Sequence, residues 1–289
     1  MSNDLTQAPP RVFKPPTRGQ SILVDGKYYF MGEKLDQGSF GEVFECQDEW
    51  SNQLVAKVLV PRNQTYDEVR ENWLQELRKL LDLRHPNITH VYAAFECDDT
   101  FYLVIERCSM TLDAIINLPD GDGELWLPYV ARDVLQGPEY MHSNGYVHKD
   151  IHAGNVFVSQ TIHRMVPSKS PVWSFKVGDL GISRLESDIE IFNTLLAQWM
   201  LPPEAIDPVE FGPVGRALDI YHVGLLLLAL LLGRSPSFTR EEIVAGVPRD
   251  TAEGLPSKYG SVVAKALRRH ASARTPTAVQ FWREIASVE

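Results

Sequence analysis

The chain has 289 residues, 44% of them hydrophobic, and a formal net charge of −10. That is enough apolar material for one large domain or two packed lobes. The acidic balance argues against binding nucleic acid through phosphate neutralisation; basic peptides, or a metal–nucleotide complex carrying its own cation, remain as partners.

Taken from the N-terminus, residues 1–21 hold prolines at 9, 10, 15 and 16 and little to bury. They read as a flexible Pro-rich tail without the apolar core of a secretion signal. Strands follow at "YYFMGEKL", "GEVFECQ", "QLVAKVLV", "ITHVYAAFE" and "TFYLVIE", which are β-branched and aromatic runs broken by turn residues. One helix interrupts them: "TYDEVRENWLQELRKLLDLRH" sets Val69, Trp73, Leu77, Leu80 and Leu81 on one face. Glu76 lies on the edge of that stripe, beside Trp73 and Leu80, whereas Glu68 and Glu71 point away. From about residue 112 the pattern is mostly helical. The apolar run "VGLLLLALLLG" is too short to span a bilayer and reads as a buried helix. The expected architecture is a small sheet lobe, about 22–107, and a larger helical lobe, about 108–289. Cys46, Cys97 and Cys108 form no CxxC pair and read as free thiols in a reducing compartment, hence a cytoplasmic chain.

Several polar residues stand where packing alone does not explain them. Gly38 and Gly41 sit in a turn between two strands, where backbone amides can approach phosphate oxygens; most such turns are only hairpins. Lys57 is a charge inside an apolar strand, with Val55 and Leu59 on its side. It is an edge or snorkelling lysine unless an inward carboxylate such as Glu76 pairs with it. "GYVHKDIHAGNVFV" carries Asp150 and Asn155 in a tight bend between two apolar runs. "FKVGDLGISR" carries Asp179 after another strand. Oxygen ligands of this kind suit Mg²⁺, which needs few protein ligands when substrate phosphates supply the rest. Singly, each aspartate would most often be a turn former.

In combination, the glycine hairpin, strand lysine, helix glutamate, HxD-x4-N bend and D-x-G resemble the protein kinase family, over about residues 30–285. "LRHPNI", "LPPEA", "DIYHVGLLLLALLLG" and "RTPT" extend the match. The resemblance implies an α+β, two-lobed fold and transfer of the γ-phosphoryl group of ATP, with Mg²⁺, to a protein or peptide hydroxyl, with Ser/Thr the expected acceptor. It implies that Leu35, Gly38, Ser39, Phe40 and Gly41 cover the nucleotide, that Lys57, oriented by Glu76, holds its phosphates, and that Val43, Ala56 and Phe157 wall the adenine. Ile105 guards the pocket behind, and Glu106 and Cys108 offer backbone groups to the adenine edge. Asp150 accepts the hydroxyl proton, Asn155 and Asp179 hold the metal, and Arg274 pairs with Glu204. His148 is implied to pack and hydrogen-bond rather than shuttle protons.

Departures from the family pattern carry information too. Asp36 replaces the first glycine, Leu180 a phenylalanine, and Lys149 an arginine that would fork onto a phosphorylated loop; Ser183, Ser187 and Thr194 are the loop's candidate phosphorylation sites. His152 stands where serine/threonine kinases carry lysine, and "DIHAGN" resembles the D-x-H-x-x-N of small-molecule phosphotransferases acting on aminoglycosides or choline. A protonated His152 would contact the γ-phosphate. A small-molecule kinase of the same superfamily, and a pseudokinase serving as a binding module, are the alternatives.

Overall fold

The structure is a computed structural model that describes residues 13–37, 41–118, 121–161, 171–180, 184–185 and 200–288. The chain divides into two compact units. The first takes Met1–Asp82 and His90–Arg107, the second Leu83–Thr89 and Cys108–Glu289.

In the first unit, β1 (Ser21–Val24), β2 (Lys27–Gln37), β3 (Gly41–Asp48), β4 (Gln53–Leu59), β5 (Val91–Cys97) and β6 (Thr100–Glu106) form one antiparallel sheet in the order β1-β2-β3-β4-β6-β5. Alternation along β4 sends Leu54, Ala56 and Val58 into an apolar cluster with Phe44, Tyr102 and Val104, and Lys57 and Leu59 to the other face. Helix α1 (Tyr66–Asp82) packs through Trp73, whose ring lies 5.2 Å from that of Phe101 and whose Nε1 donates to the Tyr102 carbonyl at 3.0 Å.

Two local expectations change. Strand β1 was not legible as a separate run, because only Ile22 of its four residues is buried; its signal was the Asp25-Gly26 turn, whose φ values of 49° and 78° suit a two-residue hairpin. Leu81, expected on the apolar face of α1, is 45% exposed. At about 100° per residue it falls far round from Val69, whereas Glu76 falls almost in line with Val69; Glu76 is buried.

In the second unit, β7 (Met110–Thr111), β9 (Val156–Thr161) and β10 (Val172–Val177) form a small sheet, and β8 (Tyr146–Val147) pairs with β11 (Arg184–Leu185). The helices are α2 (Leu112–Ile116), α3 (Gly123–Ser143), α4 (Pro203–Ile206), α5 (Pro208–Phe211), α6 (Arg216–Leu232), α7 (Arg240–Ala245), α8 (Val247–Glu253), α9 (Gly260–Ala266) and α10 (Ala278–Ala286). Helix α6 is buried from Leu218 through Leu230, as expected of its apolar run, and packs with α3, α9 and α10 in the main core. Among the described residues no helix is long and apolar enough to cross a membrane. Residues 83–89 are stitched into this unit: Asn87 Nδ2 donates to the Phe175 carbonyl, Val177 N to the Asn87 carbonyl and Thr89 N to the Val177 carbonyl. The stretch expected as a strand from Ile88 therefore begins at Val91, and Ile88 forms a parallel bridge with Val177 instead.

Candidate active site

In the first unit the buried lysine has its carboxylate. Lys57 Nζ donates to Glu76 Oε1 at 2.8 Å, with side chains 11% and 7% exposed. Burying either charge alone would be costly, so each accounts for the other. Beside them, Ala56 is fully buried and pairs with Val104, Val43 is half-buried opposite Lys57, and Gly41 is buried with no room for a Cβ, which would lie 2.5 Å from the Val58 carbonyl oxygen. Leu35 is 45% exposed and Ile105 half-buried. The N–H of Glu106 donates to the His90 carbonyl at 2.9 Å, so this backbone group is already engaged. Gly38, Ser39 and Phe40 lie outside the described residues, as do Ser183, Ser187 and Thr194.

In the second unit the bend after β8 is built on Asp219 at the start of α6. Its Oδ2 accepts from His148 N at 2.9 Å and lies 2.8 Å from His142 Nε2; its Oδ1 accepts from Lys149 N at 2.8 Å. Burial alone would raise this carboxyl, but the bonds and charges from His142 and His148 hold it below the usual range. The anchoring carries Lys149 through a left-handed conformation at φ 75°. A lysine pays for that backbone only where surrounding bonds enforce it. His148, fully buried, accepts from Asp150 N at Nδ1 and donates from Nε2 to the Gly178 carbonyl at 3.1 Å. It is a neutral structural ring, as the resemblance implies, and burial lowers its pKa.

Asp150 and Asn155 are brought together. The Asn155 amide donates to the Asp150 carbonyl at 3.0 Å and to Asp150 Oδ2 at 2.9 Å. With the nitrogen committed to Asp150, the side-chain oxygen of Asn155 is the atom left for a ligand. Asp179, at φ 59°, follows Gly178, whose N–H donates to the Asn155 carbonyl at 3.0 Å. The Asp150 carboxyl is raised by burial; His152 and His148 pull it down, and the charge of Asp179 pushes it up again. An all-oxygen pair beside a second carboxylate is the donor chemistry that a hard dication takes, so Asn155 and Asp179 fit Mg²⁺.

His152 has a local task. Its Nδ1 accepts from Gly154 N at 3.1 Å and caps the 3₁₀ turn Ala153–Asn155, and its Nε2 lies 3.9 Å from Asp150 Oδ2. Phe157 and Cys108 are half-buried in this unit. Phe157 lies against Gly178, where a Cβ would meet its ring at 2.7 Å. Further along, Arg274 makes a bidentate pair with Glu204 at 2.6 and 2.5 Å, both side chains fully buried.

Sequence reasoning missed His142 and Gly178. The first sits inside "YMHSNG" at helical spacing and looks like core; the second is a lone glycine before Asp179. It also missed His222, buried on α6, whose Nε2 meets the Met200 carbonyl at 3.0 Å and whose Nδ1 has no partner among the described residues.

Known proteins are similar to the chain over most of its length. The family model described as protein kinase domain matches residues 29–279. Cyclin-dependent kinase-like 1 of Caenorhabditis elegans is 26% identical over 205 residues, 70% of this chain and 54% of that protein. A protein of Dictyostelium discoideum named "Probable serine/threonine-protein kinase" is 28% identical over 243 residues, 83% and 46%. Serine/threonine-protein kinase PLK1 of Xenopus laevis is 26% identical over 250 residues, 80% and 39%. The chain spans about half the length, or less, of these relatives.

Proposed function

Because the chain belongs to the protein kinase domain family, we propose that it transfers the γ-phosphoryl group of ATP, with Mg²⁺, to a serine or threonine hydroxyl of a protein. The observation that carries the reading is the Asp150–Asn155 pair: one carboxylate held for proton acceptance by an amide whose oxygen faces away from it. In this reading Asp150 accepts the hydroxyl proton and Asn155 and Asp179 hold the metal, which neutralises phosphate charge when bound. Lys57, oriented by Glu76, holds the phosphates; the first unit offers Leu35, Gly38, Ser39, Phe40, Gly41, Val43, Ala56, Ile105 and Glu106 to the nucleotide, and the second offers Cys108 and Phe157. Phosphoryl transfer asks mainly for alignment and charge neutralisation, and these residue types supply both. Relatives named as serine/threonine-protein kinases support the acceptor class. His152, the residue that resembles small-molecule phosphotransferases, is accounted for by its capping bond.

The test is incubation with Mg²⁺ and labelled ATP alone and with a generic basic protein. Asp150→Asn and Lys57→Met are each expected to lose at least about a hundredfold in rate, and chelating the metal is expected to abolish transfer. Mass spectrometry identifies the modified residue type, in the acceptor and at Ser183, Ser187 or Thr194. Wild-type rates in Asp150→Asn refute the assigned proton acceptor; ATP binding without transfer marks a pseudokinase.

A further inference from the structure

Within the second unit, α3, α10 and the segment 83–89 enclose a cavity of about 450 Å³. Arg132, Leu135, Glu139 and Ser143 recur along α3 every three or four residues, so they share one face, and that face is one wall. Val279 and Trp282 of α10 line the cavity from the other helix, and Leu135 and Ala278, both buried, are its apolar floor. The walls are pinned. Glu139 Oε2 accepts from Val279 N at 3.0 Å and ties α3 to the first turn of α10. His85 Nδ1 accepts from Asn87 N at 3.1 Å, and its ring stacks on that of Tyr140 at 5.2 Å. A fixed cavity of this volume, with aromatic walls and few polar groups, has the make-up of a small-molecule site.

The polar groups left over decide the class of ligand. Gln136 Nε2 and Ser143 Oγ turn back on carbonyls of α3, those of Arg132 and Glu139. Burial lowers the pKa of His85, so its ring brings no charge at neutral pH. Among the described residues, the Arg132 guanidinium, the Tyr140 hydroxyl and the Trp282 indole N–H donate no hydrogen bond. Arg132 is exposed, and the carboxylate next to it, Asp133, accepts from Phe175 N at 3.0 Å. The unused groups are therefore donors, one of them a cation, set beside half-buried rings. Arg132 and Tyr140 are eight residues apart, roughly 12 Å along the helix. Glu139 lies at the Tyr140 end, where it repels an anion.

We propose that this cavity binds a small, extended aromatic carboxylate, a biaryl or arylalkyl acid. Its rings lie against Tyr140 and Trp282, and its carboxylate takes the two-pronged bond that a guanidinium offers, at Arg132. None of the lining residues is assigned above to nucleotide, metal or acceptor, so the site stands apart from the kinase reading.

The experiment titrates biphenyl-4-carboxylate into the full chain, with uncharged biphenyl-4-methanol as the control, and follows amide chemical shifts. Saturable binding is expected at a dissociation constant of about 0.5 mM or tighter, with the largest shifts in α3, α10 and residues 83–89. Arg132→Gln, at an exposed position, is expected to weaken binding about tenfold. Arg132→Lys, which keeps the charge without the fork, is expected to weaken it about threefold. Trp282→Leu, with its fold checked by a melting curve, is expected to weaken it about fivefold; should that variant not fold, the Arg132 pair decides. No saturation at roughly ten times the expected constant overturns the proposal. So do equal affinity for biphenyl-4-methanol, wild-type affinity in Arg132→Gln, and shifts confined to the first unit.

Discussion

Glu76 was singled out by position, as a carboxylate on the apolar edge of a helix, and Lys57 as a charge in an apolar strand; pairing each with the other needed no more than their burial. The pair is correspondingly vulnerable. Glu76→Gln leaves an ammonium with its carboxylate gone, and the expected loss is about 3 kcal/mol, read as a lower midpoint in urea. His222 was not legible, because nothing local distinguishes a histidine in "DIYHVGLLLL" from another core residue. Burial pushes its pKa down to about 4, against 6.5 for the free ring. The unfolded chain therefore binds a proton there that the folded chain refuses, and stability falls as pH drops from about 6.5 towards 4. The share due to His222 is on the order of 3 kcal/mol across that window. His148, also lowered by burial, adds to the same window. Asp219, whose pKa is depressed, gives up its stabilisation only further into acid. Thermal melts from pH 7 to 4 should show a shallower decline in His222→Gln than in wild type.

The long amphipathic or wholly apolar segments, α1 and α6, were legible because burial dictates their pattern. So were the alternating strands β2 to β6. What escaped were features fixed by a partner: β1, an edge strand that exists because β2 pairs with it, and the tight approach of α3 to α6. At Gly123, the first residue of α3, a Cβ would sit 1.8 Å from the Leu230 carbonyl oxygen. That atom belongs to the backbone of α6 and cannot swing aside. Gly123→Ala is expected to cost at least about 2 kcal/mol. A melting temperature equal to wild type would mean that the start of α3 shifts without penalty. The same dependence on a partner explains the bend at Asp150. Its residues were readable as chemistry, but the strained Lys149 backbone becomes intelligible only once Asp219, 70 positions away, is seen to accept its N–H.

At the scale of the molecule, the succession of strand-rich and helix-rich halves was written in composition. The membership of Leu83–Thr89 in the second unit was not, since its bonds to Phe175 and Val177 join distant parts of the chain. Leu83 and Ile88 are 1% and 2% exposed, and Ile88 bridges to Val177 of the second unit. A fragment starting at residue 108 is expected to melt at a lower temperature than the second unit does within the full chain, and a peptide of residues 83–89 added in trans should recover part of the difference. No response to the peptide would mean that the segment is dispensable to that unit's core.

That stitch also bears on synthesis. Asn87 leaves the ribosome 88 positions before the Phe175 carbonyl that receives its side chain. At ordinary elongation rates it waits roughly five to twenty seconds for that acceptor. By residue 107 every strand of the first sheet has been translated, with the seven waiting residues held as a loop within it. The nascent polypeptide therefore carries the side-chain amide and carbonyl of Asn87 without their folded-state partners, Phe175 and Val177, through nearly a third of its translation.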